Sequence, residues 1–376
     1  MPSKHRWREN GKGRGGIWPL GKANPVTSLI PRLILVCTMA ACDFPTDLPA
    51  WDQRWILPAD QTDVGVEKVL PDGIGLTPDS SAFEVTLAPV SFQESLGTLC
   101  EDCQILNGLT VPKPPFEGDL QERADLPDEV LGIDVRLGRV RVVAGNGFGF
   151  DPIRPQAGSA GTLTISLYNG STSGPLLDRV LVDGATEAFP PGTTLTRTLE
   201  FSGEVEDALV VQLGIFSPLG DPVTIDVTEV FSVGATVLDL EAVSAAVDLS
   251  GKGFTLEETV LEVGDMDEEM VHRIQEGAMD LIIHNPWSVG ATFAIQIIGP
   301  FAPIPKTFSI PGDPTSTARI EFSQEELRTF LGQEDVILVG TGVVDPDAGE
   351  SALTPRQLLI LDTRLDLIIR VGGGEG

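Results

Sequence analysis

The sequence predicts an all-β protein built from tandem antiparallel β-sandwich modules with very few short helices. Three observations carry this. Apolar and polar residues alternate with a period of two over many short runs. Gly, Pro and Asp clusters separate the runs, as in Pro190-Pro191-Gly192, Gly220-Asp221-Pro222 and Pro311-Gly312-Asp313-Pro314. Segments of the second half of the chain also recur in the same order, the mark of repeated modules.

The first 41 residues stand apart from this pattern. Lys4, Arg6, Arg8, Lys12, Arg14, Lys22 and Arg32 face a single acid, Glu9, and an apolar core at 33–41 follows. That core is too short for the roughly 20 residues of a membrane span and matches an export core of about 7–15. Ala40 and Ala41 then precede Cys42. A basic lead, a short apolar core and two small residues before cysteine resemble a bacterial lipoprotein export signal. The resemblance implies removal of 1–41 and diacylation of Cys42. The membrane is then a partner through that lipid, and the folded part lies in the cell envelope, outside the cytoplasm. Two acyl chains suffice for stable anchoring where one is marginal.

Composition bounds the partners. The chain of 376 residues has a net charge of −30, and losing a leader with seven basic residues and one acid takes it to −36. Such a charge opposes binding to nucleic acid or anionic headgroups, and favours solubility and cations as partners. The 41% hydrophobic content is that of a folded protein.

Residues 42–75 begin with a run rich in Pro, Asp and Trp and read as a tether, with Trp51 and Trp55 as docking anchors. Residues 76–155 read as a small β segment, either a third domain or strands completing the first sandwich. This segment holds Cys100-Glu101-Asp102-Cys103. In an oxidising compartment Cys100 and Cys103 are candidates for a local disulfide stapling a turn. A redox pair would need a strand-to-helix setting that the flanks do not offer. Zinc would need two further ligands, with only His272 and His284 at hand. Ile133, Val135 and Leu137 continue as Val140 and Val142, with Gly138 marking a bulge or a change of face.

Residues 156–250 and 251–372 read as the two sandwich repeats. Leu163, Ile165 and Leu167 form one alternating face, Leu209, Val211, Leu213 and Ile215 a second, and Leu365, Leu367, Ile369 and Val371 a third. Ile165-Ser166-Leu167-Tyr168-Asn169 aligns with Leu281-Ile282-Ile283-His284-Asn285, and Glu200-Phe201-Ser202 with Glu321-Phe322-Ser323. A long strand closes each copy. Helical signals are confined to the capping box Ser323-Gln324-Glu325-Glu326, opening a helix that stops at Gly332, and to a short turn near 267–275.

The run Leu281-Ile282-Ile283-His284-Asn285-Pro286-Trp287-Ser288-Val289, followed by Phe293-Ala294-Ile295-Gln296-Ile297, resembles the strand-Asn-Pro-strand hairpin of late-embryogenesis and water-stress (WHy-type) proteins. The resemblance implies a sandwich domain, found in some cases on bacterial lipoproteins, and brings no catalytic residues with it.

No catalytic constellation is evident. His284 ends an apolar strand, and His272 sits among acids where pairing with Glu268 or Glu269 is the ordinary outcome. Phosphate loops, dinucleotide fingerprints and two-histidine zinc motifs are missing from the sequence. The acidic runs at 264–269 and 345–350 depart from the twelve-residue calcium loop. The sequence therefore leads to a non-enzymatic, lipid-anchored envelope protein without cofactor or metal, with a structural or binding role toward an unidentified envelope protein or ligand. The alternatives are a glycosidase-like envelope hydrolase using paired carboxylates, and a lipid-handling sandwich with an apolar cavity between its sheets.

Overall fold

The structure is a computed structural model that describes residues 49–155 and 159–372. Residues 1–41, expected to be an export signal, and Cys42 lie outside the described residues. The fold is all-β, with antiparallel sheets and a few short helices.

Two sandwiches share one plan. In the first, Val90–Ser95, Val230–Asp248, Val130–Asn146 and Thr194–Val205 lie side by side in that order. The second sheet of that sandwich runs Phe116–Asp125, Ala208–Ser217, Thr162–Asn169 and Leu176–Asp183. In the second sandwich, Trp51–Gly65, Leu358–Val371, Ile274–His284 and Thr315–Phe322 repeat the first order. Gly253–Thr255 with Thr259–Val260, then Ile337–Val344, Ala291–Ile298 and Ile304–Ile310, repeat the second. The alternating faces at 163–167, 209–215 and 365–369 are buried. This is the period-two rule of a sheet with one face in the core.

The segment expected to be a tether is instead a strand. Trp51–Gly65 pairs along the whole of Leu358–Val371, from Trp51 opposite Val371 to Gly65 opposite Leu358. The open edge of the long C-terminal strand leaves a row of backbone groups that this strand satisfies. Pro58 lacks an N–H, and the ladder slips between Pro58 and Gln61, which an edge strand tolerates. The second sandwich is therefore assembled from both ends of the described chain, with the first inserted between. Nor do residues 76–155 form a separate domain. Strands 90–95, 116–125 and 130–146 complete the first sandwich, so 156–250 by itself is only part of it.

The repeat is present, one strand away from the alignment read in the sequence. Strand 162–169 corresponds in sheet order to 291–298, not to 274–284. The partner of Asn285 is Asn146. The Asn285 side chain accepts from Trp287 N (3.2 Å) and donates to Val289 O (2.8 Å) and Pro311 O (3.4 Å). Asn146 accepts from Phe148 N (2.9 Å) and donates to Phe150 O (2.9 Å) and Phe189 O (2.7 Å). The aromatic two positions on packs edge-on in both copies: Trp287 on Phe254 at 6.2 Å, and Phe148 on Phe116 at 6.3 Å. Asn169 bonds instead to Glu204 O and Glu206 N. The alignment of 200–202 with 321–323 agrees with the sheet order.

Smaller expectations resolve locally. Leu137 faces out while Val135 and Val140 face in, so the strand changes face between them. The Phe201 ring lies over Gly138, where a Cβ would come within 2.3 Å of it. Ser323 and Glu326 form the capping box of the helix Gln324–Phe330. A second short helix spans Glu268–His272.

The long strand 230–248 joins the two sandwiches. Its C-terminal part pairs with Glu350–Leu353, a strand from the connection just before 358–371. Ser351 Oγ donates to Trp287 O at 2.6 Å, fixing that connection to the repeated Asn-x-aromatic turn.

Candidate functional site

A cleft of about 730 Å³ opens among the loops at one end of the first sandwich. Its walls come from Lys113, Phe150, Asp151, Arg154 and two proline-bearing turns, 190–191 and 220–222. These loops converge because strands 130–146, 176–183 and 208–217 all end on the same side.

Lys113 follows the short strand Thr110–Pro112, which pairs with Pro222–Thr224. Its backbone N–H donates to Asp221 O (3.2 Å), and Gly220 N–H donates to its carbonyl (3.0 Å). The side chain then runs across Gly220, where a Cβ would stand 2.5 Å from Lys113 Cε. A side chain at 220 would therefore force Lys113 to shift. Lys113 Nζ ends buried, donating to Pro152 O (2.9 Å) and Ser217 Oγ (2.7 Å), with the Phe150 ring centroid 5.8 Å away. Lys113 is only 3% exposed. Burial pulls its ammonium down to about 8, against the opposing pull of the Asp151 charge.

Asp151 ties the walls together. Its carboxylate accepts from Ile153 N (3.0 Å) and, across the cleft, from Phe189 N (2.8 Å). Gly184 N–H donates to Gly161 O (2.9 Å), and a Cβ on Gly184 would lie 1.7 Å from Ile153 O. The floor is therefore close-packed backbone. Arg154 is exposed on the lining.

The carboxylate that the described residues bury most deeply, Asp366, lies elsewhere, on the outer face of the second sandwich. Arg54 grips it through Nε (2.6 Å) and Nη2 (2.9 Å), and Arg319 Nη1 reaches it at 3.0 Å. Arg319 also holds Asp280 at 2.7 Å. The Arg54 hydrogen bond, opposed by burial and aided by Arg319, keeps Asp366 below the usual carboxylate range. A general acid needs the opposite shift, so this group is a clamp between strands.

Cys100 and Cys103 are joined by a disulfide, with Cα atoms 5.2 Å apart. Contrary to the expectation for their flanks, strand Val90–Ser95 runs directly into the short helical turns Leu96–Leu99 and Glu101–Gln104 around them. His272 lies 3.9 Å from Glu268 on an exposed helix, and His284 is exposed at the end of its strand. Trp287 is buried in the core of the second sandwich. Among the described residues, no three His, Cys, Asp or Glu side chains converge as a metal site. Also among them, no helix is long and apolar enough to cross a membrane.

Sequence reading passed over Lys113, Asp151 and Arg154 because they sit in Pro-rich loops with no motif. The only local hint was that both loops, 111–116 and 151–155, are unusually rigid for their length.

No family model matches the chain, and no curated protein matches it. Among solved structures, the chain is similar to a protein of Parabacteroides distasonis described as a candidate secreted protein. The match covers 86% of this chain and 100% of that one, at 10% identity and a TM-score of 0.31.

Proposed function

We propose that the chain is a lipid-anchored cell-envelope protein without an enzymatic role, which carries two sandwiches outside the cytoplasm and binds an envelope component at the cleft. The signal ending at Cys42 supports the anchor, and the Cys100–Cys103 disulfide suits an oxidising compartment.

The observation that carries the reading is the direction of the strands. Trp51, nine residues after Cys42, lies beside Val371 at one end of the second sandwich. The opposite end, at His284 and Leu358, adjoins the 350–353 strand, which pairs with the 245–248 end of the first sandwich. The other end of that sandwich, where Phe231 opposes Asn146, leads into the cleft loops. Along the paired strands the cleft therefore lies at the end remote from Trp51, the part of the folded unit nearest in sequence to Cys42, and this supports the cleft as the binding end.

Acyl labelling of the intact protein beside a Cys42→Ala variant tests the anchor. Label in the wild type alone is the expected result; equal label in both removes the anchor. Protease accessibility of the 184–193 loop in intact cells or spheroplasts tests the compartment.

A further inference from the structure

We propose that the cleft at the end of the first sandwich binds a small organic carboxylate with an apolar body, its charged group received by Lys113 and Arg154. This deepens the reading of the cleft as a binding site and does not depend on the anchor at Cys42.

A buried charge is ordinarily paired. Among the described residues, the buried Lys113 Nζ contacts only neutral groups: the Pro152 carbonyl, the Ser217 hydroxyl and, at 5.8 Å, the Phe150 ring. An ammonium has three N–H donors, so one has no hydrogen-bond acceptor among the described residues, on a residue that lines the cleft. Among the described residues no carboxylate lies within ion-pair distance of it. The nearby carboxylate, Asp151, has both oxygens engaged by the backbone N–H groups of Ile153 and Phe189. Asp221, on the same lining, is engaged in an interaction of its own. Arg154 adds a second, exposed cation to the lining. An anion entering here meets an ammonium that is already desolvated, so the cost of burying that charge falls on folding rather than on binding.

The walls define the rest of the ligand. Phe150, Pro190, Pro222 and Val223 present apolar surface beside the two cations. The volume lies within the roughly 300–1,000 Å³ of small-molecule sites, which pair apolar walls with a few polar groups. A bare inorganic anion would use the charge and leave these walls empty.

The test is calorimetric titration of the full-length protein at pH 7 with 3-phenylpropionate, 3-phenylpropanamide and inorganic phosphate. The carboxylate is expected to bind at least tenfold more tightly than either the neutral amide or phosphate. Arg154→Gln, an exposed substitution, is expected to weaken it severalfold, and Lys113→Met to abolish it. If Lys113→Met does not fold, the wild-type comparison and Arg154→Gln still decide. Equal affinity for the amide overturns the charge assignment, and equal affinity for phosphate overturns the apolar body. No binding of 3-phenylpropionate by the wild type, or wild-type affinity in Arg154→Gln, overturns the proposal as a whole. The Cys42→Ala labelling result bears on none of these outcomes, so the two readings fail separately.

Discussion

Replacing Asn146 or Asn285 by alanine is expected to destabilise one sandwich and spare the other. Each side chain satisfies three backbone groups at the turn that leads from one sheet into the next. Both asparagines are 1% exposed, so water cannot take over the lost partners. A buried group left without a partner costs about 1–3 kcal/mol. For Asn146 all three bonds are 2.9 Å or shorter, and the loss should reach about 3–5 kcal/mol. For Asn285 the bond to Pro311 O is long at 3.4 Å, and about 2–4 kcal/mol is expected. The molecule supplies its own reporters. Trp51, Trp55 and Trp287 all belong to the second sandwich, and Tyr168 belongs to the first. Denaturant unfolding followed by tryptophan emission should therefore shift for Asn285→Ala. Far-UV circular dichroism should show an early transition for Asn146→Ala, while its tryptophan transition stays near wild type. If both variants lose less than about 1 kcal/mol, the shared turn is not a buttress and the repeat assignment loses its physical basis.

Other expectations follow from single groups. Asp366→Asn should cost about 1–2 kcal/mol at neutral pH, because the Arg54 and Arg319 contacts weaken from charged to neutral acceptance while both arginines remain partly solvated. Asp366 has a depressed folded pKa. Its stabilisation is present above the ordinary carboxylate value and is lost as pH falls through the folded one, so the wild-type advantage over Asp366→Asn should vanish in acid melts. Lys113 titrates with the opposite sign. Its folded value of about 8 lies below the ordinary 10.5, so the unfolded chain holds the extra proton between the two. Stability should therefore rise from about pH 8 to 10.5, by on the order of 3 kcal/mol at most. Thermal melts of Lys113→Met should be flat over that range, and a wild type that is equally flat would refute the buried ammonium. Gly184→Ala should cost more than about 3 kcal/mol, since a backbone carbonyl stands 1.7 Å from the new methyl. An urea midpoint near wild type would contradict that packing.

Much of the local structure was legible in the sequence because it depends on neighbours in the chain. Alternation at 163–167 and 209–215 fixes which side chains enter the core, since adjacent residues of a strand point to opposite faces. The capping box at Ser323 and Glu326 closes on itself within four residues. The repeat was legible in kind and slipped in register. An apolar run ending in asparagine occurs at 146, 169 and 285, and only the aromatic two positions on marks the pair at 146 and 285.

The sequence by itself determined that this chain would form antiparallel sheets in repeated sandwiches, where the turns fall, and that its surface would be strongly acidic. Those properties are set by period, by the fixed φ of proline and the φ freedom of glycine, and by charge count, all of which are local or additive. Only the tertiary structure decided that strand 51–65 closes the second sandwich, that the first is inserted within it, and that Lys113 lies buried beside a cleft. Each of these depends on a partner far along the chain: the open edge of 358–371 for the strand, and the carbonyl of Pro152 with the hydroxyl of Ser217 for the lysine. A proline-rich loop carries no periodicity from which such burial could be read, because its backbone satisfies distant groups rather than its own.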